Sequence, residues 1–192
     1  CLNSGAGRFR PIPSHPSPRA RLSHVRALIL AIASLGISCA GATSNVPTTT
    51  YEAGDAPYFD HSIDFVESPA IVEGEWRGAF EQRVLRADLI AAVRVQSSVA
   101  EVVQRRAALR LMVRVLERFK GASNKEIELR VEDEQPGYAT VEDSEDRIVR
   151  EPWIAFIKWE NVRGGKAPVP HWHLSPDTAA VRAKIEYLLS TP

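Results

Sequence analysis

In several stretches between residues 88 and 160 the apolar positions of this chain recur every second residue. In KEIELRVED (125–133), Ile127, Leu129 and Val131 fall on one side, while Glu126, Glu128, Arg130 and Glu132 fall on the other. That is the pattern of a strand with one buried face. In ALRLMVRVLERFKG (108–121), Leu109, Leu111, Val113 and Val115 alternate with Arg110, Met112, Arg114 and Leu116. DLIAAVRVQ (88–96) predicts a further strand. In PWIAFIKWE (152–160), Trp153, Ala155, Ile157 and Trp159 share a face, yet Ile154 and Phe156 make the other face apolar too. This strand is therefore expected to be covered on both sides. Gly121 and the GASN that it opens supply the turn between the second and third strands. A helical reading of 80–120 competes, because Arg106, Arg110, Arg114 and Arg118 repeat every four residues. The β-branched content after Leu109 favours strand.

The flanks change period. GEWRGAFEQRVLRAD (74–88) places Trp76, Phe80, Val84 and Leu85 at helical spacing and predicts a short helix. YFDHSIDFV (58–66) alternates weakly, with Phe59, Ile63 and Phe65 as candidates for burial. Near the end, Ser175 reads as an N-cap, Pro176 as the first helical residue and Asp177 as a first-turn acid. Val181, Ile185, Leu188 and Leu189 then form one apolar stripe, which predicts a C-terminal helix packed on the sheet. The expected fold is α+β and mainly β, in a single domain over residues 58–192.

Charge separates this domain from what precedes it. Residues 1–51 carry five arginines and no carboxylate, whereas 52–192 hold all 24 acids against 19 basic residues. A basic leader before an acidic body is expected of targeting sequence. Residues 1–25 are Pro-, Ser- and Arg-rich without apolar periodicity, and read as disordered or as an upstream extension. ALILAIASLGIS (27–38) would span about 18 Å as a helix, short of the roughly 30 Å hydrocarbon core, so it predicts a signal-peptide core rather than a membrane span. The two cysteines, Cys1 and Cys39, both precede the body, which excludes a disulfide framework or a cysteine-based zinc site within it.

LGISC (35–39) resembles the lipobox of bacterial lipoproteins, with Gly36 standing where that family usually has leucine. The resemblance implies cleavage after Ser38 and lipidation of Cys39. It also implies attachment to a membrane, and Ala40 after the cysteine is similar to the sorting pattern for the outer membrane facing the periplasm. AGATSNVPTTTYEAGDAP (40–57) then reads as a flexible tether. The alternative is a cut after Ala42, where Ala40-Gly41-Ala42 fits the A-x-A pattern and would release a soluble secreted protein.

The order of elements in the body, through RADLIAAVRV, LMVRVLERFKG, EIELRV and PWIAFIKW, resembles the bacterial relatives of the tissue-inhibitor-of-metalloproteinases and netrin-module fold. The resemblance covers roughly residues 76–160 and implies a small OB-like antiparallel β-barrel with a short N-terminal helix and a C-terminal helix. The inhibitory function does not carry over, because those inhibitors act through a free amino-terminal cysteine held by disulfides and this body has no cysteine.

The best chemical candidate is PHWHLSPD (170–177). On an extended segment His171 and His173 point one way and Trp172 the other. Two imidazoles so spaced can chelate zinc or copper, with Asp177 or His61 as a third ligand. The plainer reading makes this a surface strand with Trp172 in the core. The arginines from Arg105 to Arg118 read as a solvated face or as partners of acids; export and an acidic body argue against nucleic acid. EDEQPGYATVEDSED (132–146) holds seven acids without calcium-loop spacing and reads as an acidic mobile loop. With no G-x-S-x-G, H-E-x-x-H, Gly-rich phosphate loop or cysteine nucleophile, the expected role is non-enzymatic binding, with a protein partner in the envelope; the alternative is a metal-binding protein or metal-dependent enzyme using His171 and His173.

Overall fold

The computed structural model describes residues 51–65, 76–161 and 167–191, all within one compact unit running from Ala42 to Pro192. Ser38, Cys39 and the rest of the leader lie outside the described residues, as does the side chain of Trp76. The elements are β1 (Ser62–Ile63), α1 (Trp76–Arg86), β2 (Leu89–Val103), β3 (Arg106–Lys120) and β4 (Glu126–Glu132). They continue with α2 (Tyr138–Asp143), α3 (Glu145–Arg150), β5 (Pro152–Glu160), β6 (Val169–Pro176) and α4 (Ala179–Ser190).

The six strands form one sheet in the order β1-β6-β5-β2-β3-β4. It is antiparallel throughout except where β1 joins β6 in parallel. The sheet is curled into a half-barrel of OB-like form. The curl comes from β2, whose register against β3 shifts at Ile90/Ala91, Ala92/Val93 and Val95/Ser97. Such bulges bend a strand and raise its twist. β2 pairs with β5 only over Leu89–Arg94, then continues beyond β5 beside β3. The β2–β3 turn places Gln104 and Arg105 at φ 51° and 70°, the two left-handed residues of a tight hairpin. Strand thus prevails over helix from Leu89 to Lys120.

Apolar alternation sorts the residues into two layers. Leu89, Ala91, Val93, Leu111, Val113, Leu129, Val131, Trp153, Ile157, Trp172 and Leu174 fill the concave interior. Ile90, Ala92, Ile154 and Phe156 face outward under α1 and α4, where they meet Phe80, Val84, Val181 and Ile185. This is why β2 and β5 are apolar on both faces while β4 is apolar on one. Each fully buried Leu, Ile, Val or Phe contributes roughly 1.5–3 kcal/mol.

Several boundaries differ from the sequence expectation. The acidic stretch 132–146 is a loop only in part: residues 133–137 form turns, but α2 fills 138–143 and α3 starts at Glu145, because Val141 and Ile148, one in each helix, both reach the interior. The Trp153 indole N–H donates to the Ile148 carbonyl at 2.8 Å and ties these helices to β5. The C-terminal helix starts later than predicted. Ser175 and Pro176 remain in β6, where Ser175 is buried opposite Ile154, and the Thr178 hydroxyl caps α4 by accepting the Val181 N–H at 3.2 Å. The folded domain also begins before residue 58. Asp55 is buried in a short 3₁₀ turn, accepting from Arg86 at 2.9 Å and from the Glu52 N–H at 3.0 Å.

Gly121 turns β3 towards β4 at φ 81°, and a Cβ there would lie 2.0 Å from the Asp88 carbonyl oxygen. Gly121→Ala is expected to lower the unfolding free energy by more than about 2 kcal/mol, from left-handed strain together with displacement of Asp88. Urea denaturation reads this directly, and an unchanged midpoint would contradict it.

Candidate functional site: the β4–β6 seam

β4 is the last strand of the sheet, and successive antiparallel pairings make it run parallel to β6 across the mouth of the half-barrel. Along β4 the odd-numbered residues bond to β3, as the flanking bonds from Val115 N–H to the Lys125 carbonyl and from Asp133 N–H to the Ala107 carbonyl show. The main chain of Glu126, Glu128, Arg130 and Glu132 therefore faces the seam. At Arg130 the seam is bridged by side chains. The Trp172 indole N–H donates to the Arg130 carbonyl at 2.9 Å, and His61 Nδ1 donates to the same oxygen at 2.9 Å. At Glu132 the N–H is taken by Gln135 Oε1 at 2.8 Å.

Away from that bridge the strands part and leave a cleft of about 690 Å³. Its walls include Glu126, Glu128, Arg130 and Glu132 of β4, Val169, Pro170 and His171 of β6, Gln104 of the hairpin tip, Trp159 and His61. Among the described residues the charged lining is three carboxylates to one guanidinium; that guanidinium pairs with Glu101 at 2.7 Å and Glu128 at 3.1 Å, and Glu132 lies 3.9 Å from Arg106. The buried indole nitrogen of Trp159 has no hydrogen-bond partner among the described residues.

His61 is held by backbone geometry that its residue type does not favour. Its φ is 57°, its N–H donates to the Trp172 carbonyl at 2.8 Å, and Gly137 packs so closely that a Cβ there would lie 1.8 Å from the His61 oxygen. A non-glycine residue in the left-handed region persists when its surroundings over-determine it. Burial pushes the His61 imidazole below its ordinary range; the Arg130 carbonyl opposes that shift and the His171 charge adds to it. With Nδ1 donating to Arg130, Nε2 faces His171 Nδ1 at 3.1 Å. The other nitrogen of His171, Nε2, lies 2.8 Å from Glu160 Oε2, and Tyr51 stacks on the ring with centroids 3.7 Å apart.

The structure places the predicted site residues in three separate settings. His173 is buried, with Nδ1 3.0 Å from Asp60 and Nε2 2.9 Å from Asp64, so both nitrogens face carboxylates. Burial alone would raise the Asp60 carboxyl, but hydrogen bonding and charge from His173, the Ser62 hydroxyl and Arg83 bring it down to about 2. Asp64 is held down by the same imidazole against its own burial. His173 thus clips β1 to β6. Asp177 binds Arg182 at the start of α4. His171 meets His61, and neither His173 nor Asp177 joins them. Arg106 and Arg110 of the arginine-rich stretch pair with Glu134 and with Glu101. The free edge of β4 and the wall position of Trp159 carry no local sequence signal, since both depend on which strands end up at the sheet margin.

Comparison with family models, with curated proteins and with solved structures finds no match to this chain. Among the described residues no helix is long and apolar enough to cross a membrane.

Proposed function

We propose that this is an exported, non-enzymatic binding module, tethered to the membrane through lipidated Cys39, whose seam cleft takes an extended, positively charged segment of a protein partner. The observation that carries this reading is the outward main chain of Glu126 and Glu128, a strand edge with no further strand on it among the described residues, facing a cleft with an acidic lining. An open edge is a template for an added strand: main-chain hydrogen bonds give affinity and side chains select the partner. The Trp159 indole, without a partner among the described residues, supports the reading, since a buried donor without an acceptor costs about 1–3 kcal/mol that a ligand carbonyl could offset. The acidic lining disfavours nucleic acid.

An alternating lysine–valine peptide of strand length serves as the probe, with a glutamate–valine peptide as its counterpart. The basic peptide is expected to shift the amide resonances of Glu126 and Glu128 saturably, and the acidic one to leave them in place. Glu128→Pro removes an N–H directed at the cleft rather than at β3, so the sheet should survive while binding is lost. Equal response to both peptides, or full binding by Glu128→Pro, would overturn the reading. The tether has its own test. Cys39→Ala is expected to move the protein from the membrane to the soluble fraction, whereas a mature chain starting at Thr43 without acyl mass would mark release after Ala42.

A further inference from the structure

We infer that His61 and His171 form a metal site at the seam, holding one divalent transition-metal ion of the zinc or copper class between His61 Nε2 and His171 Nδ1. This goes beyond the strand-addition reading and stands on separate observations. The two nitrogens face each other at 3.1 Å. The other nitrogen of each ring is committed to an acceptor: His61 Nδ1 to the Arg130 carbonyl, His171 Nε2 to the Glu160 carboxylate. In a neutral imidazole that leaves a lone pair on each facing nitrogen. Two opposed lone pairs repel unless a cation lies between them.

The spacing suits a metal. With zinc–nitrogen bonds of about 2.0–2.1 Å and a tetrahedral angle, the two ligand nitrogens stand roughly 3.3 Å apart. The surroundings match the outer shell of metal-bound histidines, where the remote ring N–H donates to a backbone carbonyl or a carboxylate and fixes both tautomer and ring orientation. The rings are also held in place. His61 is locked at φ 57° against Gly137, and Tyr51 lies flat on His171. Both imidazoles line the cleft, so the remaining coordination positions open onto it. Among the described residues no group of three or more His, Cys, Asp or Glu side chains gathers as a ligand set, so water or a cleft ligand completes the sphere. With two protein ligands the site is more open than the three-ligand sites that keep a position for water or substrate, so its other ligands are exchangeable. His173 stays apart, because both its nitrogens are taken by Asp60 and Asp64.

The test is a zinc(II) titration of the full chain followed through the ring nitrogen resonances of its histidines. Zinc is expected to move the His61 Nε2 and His171 Nδ1 signals together and saturably, leaving those of His173 in place. His61→Asn is the informative variant, because asparagine tolerates the left-handed backbone and the fold is retained. This variant and His171→Gln should each weaken zinc binding more than about tenfold, and Glu160→Gln by about 10–100-fold through loss of ring orientation. Signals that respond to pH but not to zinc would show a shared proton in place of the metal and overturn the proposal. Zinc affinity unchanged in both histidine variants would overturn it as well, by placing the metal elsewhere in the chain. Neither result bears on peptide capture at Glu126 and Glu128, so the two readings fail separately.

Discussion

The Arg130 carbonyl oxygen is the point on which the rest of this molecule closes. An OB-like sheet must join its last strand to its first half, and here β4 and β6 meet through side chains, with Trp172 and His61 both donating to that one oxygen. The bridge satisfies the Trp172 indole, a fully buried group in the concave core, and so couples interior packing to closure. It also sets the His61 tautomer, which decides the nitrogen presented to His171. Below the bridge the strands part into the cleft. Core, seam and candidate site thus share one acceptor.

The same constraint explains the distribution of charge. Because β4 is a margin strand, its polar residues face solvent and the cleft, and Glu101, Glu128, Arg110 and Arg130 form a lattice of ion pairs across β2, β3 and β4. Exposed pairs of this kind contribute about 0–1 kcal/mol each, so their main effect is on what the cleft attracts rather than on stability. Stability comes from the two apolar layers on either side of β2 and β5.

Much of the architecture was legible because period and burial coincide. Ile127, Leu129 and Val131 alternate in KEIELRVED and are buried in β4; the doubly apolar PWIAFIKWE lies between two layers as β5. Phe59 and Ile63 are buried as their weak alternation suggested, although only Ser62–Ile63 is strand. What misled was local chemistry overridden by tertiary contacts. The acids of 132–146 hid two short helices anchored by Val141 and Ile148. Ser175 and Pro176 carry helix-start signals yet continue β6, because the pairing with β5 extends to Trp153↔Pro176. The histidine site was half legible. His171 and His173 stood out by spacing, but β1 lies beside β6 in parallel and delivers His61 to the first while Asp60 and Asp64 claim the second. His61 was one of two third-ligand candidates, and nothing in the chain favoured it over Asp177, because the pairing spans 110 residues and is made at the edge of a two-residue strand.

Amide hydrogen exchange along β4 tests the central claim most directly, because closure by side chains at Arg130 leaves one side of the strand open. The account predicts alternation. The Ile127 and Leu129 amides, bonded to β3, and the Trp172 indole N–H, bonded to Arg130, should exchange only through large-scale opening, while the Glu126 and Glu128 amides exchange close to the rate of an open chain. Uniform protection along β4, with Glu126 and Glu128 as slow as their neighbours, would contradict it and would mean that the barrel is closed by a strand ladder.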